Sequence, residues 1–411
     1  MECTIYNERT SWGDSVLFTQ HKGVKSLSVG VLLPVGSRDE HTSEQGIAHF
    51  VEHMLFKGTR RWSFVQLLRR IEGRGAELNA FTERDHMFFY VHGIDEHGPY
   101  AIEVLEEMLA HPSFPQDELD KERNVILEEI AMYHDIPDDD IVARFYERLF
   151  PGHPLGRDIL GSPSHIQRYQ RKDLINFHCR TFLSGHWIWS IVGGVDILHV
   201  REWLRSISTP ERGIRKPMKR TLPPIGTVFE DELRTHFHQV HGVMGISLPT
   251  LPWNDRLHLM ALAHYLGGSM RSVLWHTLRE RYGDVYHVSA HTHFFEDASV
   301  FYIYWATRES RLKRVIRTIE HAFRQLRNRP IGPLRMEEVR RQMQTSTIWS
   351  DEQVTRRVYW QAWEWMQYGR IRPRHIRLQA INQLTPSSLW EFVHRYLEPS
   401  RFSRLIYRPE S

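Results

Sequence analysis

His49-Phe50-Val51-Glu52-His53 reads as part of one helix, and the rest of the chain is organised around it. Histidines four apart lie one above the other on a helix face, so two imidazoles can be aimed at one metal ion. Glu52 leans toward the same side. Two neutral nitrogens and a nearby carboxylate are what a zinc hydrolase needs: the imidazoles hold the ion, and the carboxylate takes a proton from water held there. The flanks predict a helix. Thr42 and Gln45 have capping-box spacing, Ile47, Ala48, Val51, Met54 and Leu55 supply apolar faces, and Gly58 marks a stop. The chain holds 26 histidines, so the five residues alone decide little, and the rest of the sequence must bear on them.

At 411 residues, two or more domains of about 200 are expected. A hydrophobic content of 41% and an aromatic content of 12% are enough for real cores. The net charge of +3 is mixed in sign and carries no Lys/Arg block, which argues against nucleic acid as a partner. Two cysteines, Cys3 and Cys179, make no disulfide framework, so a cytoplasmic location is expected. Met1 to Tyr6 has neither a basic n-region nor an apolar h-region. No run of about 18 apolar residues follows anywhere, so neither a signal peptide nor a membrane span is expected.

Outward from the central helix, Leu27, Val29, Val31 and Leu33 alternate in a strand over Val24–Pro34, and residues 4–8 and 14–20 look like a strand pair. Ser63 caps a helix over Phe64–Ile71. Glu77–Thr82 and His86–His92 form a hairpin around Glu83-Arg84-Asp85. Helices follow over Glu96–Ala110 and from Pro115 to about His134; on the second, Glu122 and Glu129 are two turns apart and share a face. Trp187–Val195 closes the first half. Pro210, Pro217, Pro223 and Pro224 with Gly213 and Gly226 mark a linker. The second half repeats the order of the first: a strand over Val240–Leu248, helices over Asp255–Leu266 and Met270–Arg281, then strands over Tyr286–His293 and Ser299–Ala306. Helices fill most of 309–398. The expected fold is α+β, two similar α/β-sandwich domains in tandem, each a mostly antiparallel sheet packed by helices. The bounds are 1–208, a linker at 209–227, and 228–411. His236, His238 and His241, and His287, His291 and His293, sit at strand spacing, which predicts surface or packed histidines rather than a second metal site.

The inverted motif, with Glu directly before the second His, is the mark of the inverzincins. Gly46-Ile47-Ala48-His49-Phe50-Val51-Glu52-His53-Met54-Leu55-Phe56-Lys57-Gly58-Thr59 resembles the pitrilysin-type (M16) metallopeptidases, which include insulin-degrading enzyme and the mitochondrial processing peptidase. In that family a Glu about 76 residues past the second His is the third zinc ligand, and residue 129 here is Glu. A second acid seven residues earlier matches Glu122. Asn79-Ala80-Phe81-Thr82 is similar to the family's substrate-pairing edge strand, and Arg279 and Tyr286 match its Arg and Tyr seven apart. The chain departs from the family pattern at Gly283-Asp284-Val285, just before Tyr286. The second half has no long glycine-rich loop, which argues against the non-catalytic partner subunit of the processing peptidase.

The resemblance implies a zinc endopeptidase with one Zn²⁺ per chain, held by His49, His53 and Glu129. Glu52 is the general base, and Glu122 orients a ligand histidine. Asn79 and Ala80 pair with an extended peptide, and Arg279 and Tyr286 supply donors to its carbonyls. Four domains make the family's clamshell, so two domains per chain imply a dimer. Zinc motif and Arg/Tyr pair lie on one chain, which favours a homodimer over a heterodimer with a related subunit. The competing readings are a binding or assembly subunit that kept the fold and lost catalysis, and a zinc hydrolase of small amides. The intact ligand set disfavours the first; the Asn79 strand and the two-half plan disfavour the second.

Overall fold

The computed structural model describes residues 4–10, 13–205 and 220–410. Two sheets organise it. The first contains β1 (Thr4–Arg9), β2 (Ser15–Gln20), β3 (Ser26–Leu33), β4 (Glu77–Thr82), β5 (Met87–Ile94) and β6 (Ile188–Gly193), in the order β1-β2-β6-β3-β5-β4. The second contains β7 (Glu230–Thr235), β8 (Val240–Pro249), β9 (Val285–Phe294), β10 (Ala298–Thr307) and β11 (Ser403–Pro409), in the order β7-β11-β8-β10-β9. β2 and β6 run parallel, as do β7 and β11, and every other pair is antiparallel. Without β1, the first sheet has the connectivity of the second strand for strand. The α+β class and the internal repeat expected from the sequence are both present.

β3 shows why these residues make a central strand. Leu27, Val29, Val31 and Leu33 all enter the main core. That core also takes buried residues of α1 (Ile47–Leu55), α2 (Phe64–Ile71), α3 (Gly98–Ala110) and α4 (Gln116–Asp135). The opposite face is not solvated. Leu32 joins Leu17, Phe88, Ile188 and Val192 beneath Val354, Val358 and Ala362 of the helix Val354–Tyr368. Gly30 lies on this side, where a Cβ would stand 2.4 Å from the Phe88 ring. Gln361 is wholly buried; its amide nitrogen donates to Ser190 Oγ (2.9 Å) and the Ile191 carbonyl (3.1 Å).

The two compact units are therefore not two successive stretches with the expected bounds. One comprises Met1–Ala131, Arg157–Arg220 and Trp349–Pro373; the other comprises Met132–Gly156, Thr221–Ile348 and Arg374–Ser411. α5 (Pro137–Leu149) belongs to the second, where Ile141, Phe145, Tyr146 and Leu149 pack with Val243, Val300, Leu405 and Tyr407. Each half lends the other one helix. The reason is physical: each sheet has two apolar faces, and an amphipathic stripe such as Val354, Val358, Ala362 fits any such face regardless of which half encodes it.

Other differences are local. β6 is central rather than closing, because it pairs with both β2 and β3. β7 and β11 have no expected counterpart: β7 is charged and alternates in exposure, and β11 follows a long helical region. A π-helix over Trp275–Arg281 replaces most of the second expected helix. Residues 209–219 of the expected linker lie outside the described residues. Among the described residues no helix is long and apolar enough to cross a membrane.

Two buried histidines in the first unit set a pH dependence. His86 meets the Tyr359 hydroxyl at 3.0 Å, and His178 donates through Nε2 to the Leu109 carbonyl at 2.8 Å. Burial pushes both imidazoles down to about 4. Unfolded histidine titrates near ~6.5, so the unfolded chain takes protons first as pH falls. Each group's stabilisation is complete above ~6.5 and is lost toward 4, about 3 kcal/mol in full. The thermal midpoint should therefore fall as pH drops from 6.5 to 4, and fall less steeply in His178→Gln. Equal slopes for wild type and variant would refute this assignment.

Candidate metal centre

α1 does not start as its sequence suggests. Thr42–Glu44 is a separate 3₁₀ turn, and the helix is entered through Gly46 at φ 85°. A side chain at Gly46 would meet the Leu160 carbonyl at 2.4 Å. The free N–H groups of Gly46 and Ala48 donate to the buried carboxylate of Glu40 at 3.0 and 2.9 Å. The capping box expected at Thr42 and Gln45 is thus replaced by an acid six residues upstream of Gly46. The left-handed glycine turns the chain between Gln45 and the helix, so a local box cannot close. Burial raises the Glu40 carboxyl, and the two N–H groups oppose that shift.

Ile47, Ala48, Phe50, Val51, Met54 and Leu55 are fully buried, which leaves His49, Glu52 and His53 on the remaining face. α4 approaches that face because Leu119, Ile126 and Ile130 enter the same core as Val51 and Met54. This presents Glu122 and Glu129. Glu129 Oε2 lies 3.8 Å from His49 Nε2 and 3.5 Å from His53 Nε2. One ligand atom from each of the three residues falls within 4.8 Å of the others; among the described residues this is the one such cluster. A tetrahedral ion with bonds of ~2.1 Å spaces its ligand atoms by ~3.4 Å, so the donor set fits a zinc-sized cation.

The electrostatics agree. Burial, aided by repulsion from His53, lowers the His49 imidazole to about 4. Burial would lower His53 too, but Glu122 and Glu129 outweigh it and lift that ring to about 9. Glu129 is held below the usual carboxylate range by its bond to His53. Burial works against ionising Glu122, but bonds from His53 and Lys57 overcome it and lower its pKa. Glu122 Oε2 meets His53 Nδ1 at 3.0 Å, which fixes the ring with Nε2 turned to Glu129. Glu52 is 9% exposed, and burial raises its carboxyl, making it a stronger base than a surface glutamate.

Two contacts were not singled out in the sequence. Lys57 Nζ stands 2.6 Å from Glu122 Oε1; its position four residues after His53 was the available signal. Thr82 donates its hydroxyl to Glu52 Oε2, across 30 residues, with no local signal.

Asn79 and Ala80 lie on β4, at the edge of the first sheet. The Glu83 N–H donates to the His86 carbonyl, so the antiparallel alternation turns the main-chain groups of Phe81 and Asn79 toward β5, and those of Ala80 and Thr82 to the open side. The Ala80 N–H is taken by Asn79 Oδ1 at 2.8 Å. Arg279 and Tyr286 come together within the second unit. The guanidinium donates to the Tyr286 carbonyl and lies 4.5 Å from the Trp275 ring centre. Tyr286 is the unpaired residue of a bulge, since Ala306 pairs with His287 and Thr307 with Val285; its side chain is 74% exposed. The departure at Gly283-Asp284-Val285 has a structural reason. Gly283 turns at φ 59°, and Asp284 is buried with its carboxylate on Arg314. Of the second-half histidines, His236, His238 and His287 are exposed, His241 and His293 meet the hydroxyls of Tyr304 and Tyr146, and His291 stacks on Tyr302.

The insulinase (peptidase family M16) family model matches residues 15–162, and the peptidase M16 inactive-domain model matches residues 168–343. An uncharacterized zinc protease of Mycobacterium tuberculosis is 30% identical over 390 residues, covering 94% of this chain and 89% of its own. The Bacillus subtilis YmxG, also described as an uncharacterized zinc protease, is 30% identical over 346 residues and 83% of each chain. Among solved structures, a protease from Helicobacter pylori aligns over the whole of both chains with a TM-score of 0.92 at 20% identity. A putative M16-like peptidase from Alicyclobacillus acidocaldarius aligns over 100% of this chain and 99% of its own, with a TM-score of 0.85 at 17% identity. The structural likenesses carry the fold alone, whereas the family models and the sequence relatives carry membership: this chain belongs to peptidase family M16.

Proposed function

We propose that the chain is a zinc-dependent endopeptidase acting on extended or unstructured peptides, as a homodimer with one zinc ion per chain. The observation that carries this reading is the convergence of His49, His53 and Glu129, with Glu52 one residue before a ligand and on the same helix face. The three would hold the ion. Zinc, when bound, supplies a Lewis acid that makes water acidic near neutral pH. Glu52 accepts the proton of the attacking water and delivers it to the amide nitrogen, so the C–N bond breaks to a carboxylic acid and an amine. Glu122, steadied by Lys57, keeps His53 in the tautomer that leaves Nε2 free.

The open side of β4 receives the peptide as an added strand; the Ala80 N–H, now held by Asn79 Oδ1, exchanges that partner for a peptide carbonyl. Such pairing reads main chain, so the demand on substrate sequence is loose. Arg279 and Tyr286 donate to peptide carbonyls. The presence of ligands and donor pair on one chain supports a homodimer over an obligate heterodimer.

The test is metal analysis with cleavage of a quenched, unstructured peptide. Wild type should carry one zinc per chain, lose cleavage to a chelator and regain it with zinc. Glu52→Gln should keep the metal while kcat falls about 10³-fold. Wild type that is fully loaded and cuts no peptide would sink the reading. Tyr286→Phe should lower kcat/KM about 10²-fold with zinc unchanged, as for loss of one carbonyl donor; an unchanged rate would remove Tyr286 from the site. Sedimentation at assay concentration should give twice the mass of one chain, and a monodisperse monomer would exclude the dimer.

A further inference from the structure

We infer that Thr82 is a positioning residue: its hydroxyl fixes the carboxylate of Glu52, so the strand that receives the peptide also sets the base. The kinetic part of this inference rests on the proposed role of Glu52. Thr82 Oγ1 lies 2.5 Å from Glu52 Oε2, and among the described residues no other group hydrogen-bonds that carboxylate. Glu52 is only 9% exposed, so this bond is its chief tether. The terminal torsion of a glutamate is broad and roughly two-fold, and packing alone does not fix it. A β-branched side chain, by contrast, is stiff at χ1, so threonine aims its hydroxyl where the backbone points it.

That backbone is anchored. Leu78 and Ala80 share a face with Thr82 and pack on the core that holds α1. The turn after Thr82 is tied down by the Ser37 and Arg38 N–H groups on the carbonyls of Glu83 and Arg84, and by the buried Arg38–Asp85 pair at 2.8 Å. With Oε2 committed to Thr82, Oε1 is left as the free acceptor. Ala80, two residues back, presents its main chain to the open side. A peptide pairing there adds hydrogen bonds to the same strand and stiffens the support of the base.

The experiment uses the full chain with Thr82→Val, which keeps the shape and removes the hydroxyl, and Thr82→Ser, which keeps it. In metal-free crystals the Glu52 carboxylate should leave its place in Thr82→Val and hold it in Thr82→Ser. With zinc supplied, Thr82→Val should keep its metal and KM while kcat falls about 10–100-fold, and Thr82→Ser should stay within about threefold of wild type. A Glu52 carboxylate unmoved in Thr82→Val overturns the inference, as does an unchanged kcat or a change confined to KM. If Thr82→Val does not fold, Thr82→Ala takes its place with the same readouts. If wild type itself cuts no peptide, the proposed function falls, and the metal-free crystals still decide whether Thr82 sets Glu52.

Discussion

The carboxylate of Glu129 is brought to two imidazole nitrogens by nothing local. It depends on α1 and α4 burying residues in one core, Val51, Met54 and Leu55 from the first and Leu119, Ile126 and Ile130 from the second. Interiors are close-packed, so this shared core sets the separation of His49, His53 and Glu129. A metal centre needs that separation held closely. Polar groups then refine what packing sets. Glu40 fixes the start of α1 from outside the helix, and Glu122 with Lys57 fixes the plane of His53.

The concentration of charge there follows from burial. Two histidines and three glutamates share one partly buried space, and their pKa values move apart: His49 down, His53 up, Glu52 up, Glu122 and Glu129 down. Groups whose proton affinities are set apart side by side are suited to different tasks. Glu122 and Glu129, whose carboxyls are lowered, face the histidines, and Glu52, whose carboxyl is raised, lies beside them on α1.

The second unit repeats the frame, and among its described residues no cluster of metal-binding side chains occurs. The helix Trp253–Gly267 follows β8 as α1 follows β3, but its inward positions are Leu259, Ala261, Leu262 and Leu266. β9 is an edge strand as β4 is, and it begins in the bulge that turns Tyr286 outward. One fold thus carries candidate ligands on a helix in one copy and an exposed Arg/Tyr pair at a strand start in the other. Function resides in the grafted side chains rather than in the frame.

Helix and strand periodicities, the repeat of the two halves and the pair His49–His53 were legible because each is local: i,i+4 neighbours on a helix meet whatever the rest of the chain does. Glu129 was legible through the resemblance, and its shared face with Glu122 through helical pitch alone. What tertiary structure decided is what local pattern cannot encode. An apolar stripe does not say which sheet it covers, so the exchange of α5 and the helix Val354–Tyr368 between units was invisible. β11, at the end of the chain, lies between β7 and β8, and the partner of a strand is set by the whole sheet. A cap supplied by Glu40 and a hydroxyl supplied by Thr82 have no fixed spacing to the groups they serve. The sequence determined the donors and their chemistry; only the packing of α1, α4 and β4 determined that they meet, because distances between elements are set by the core that separates them.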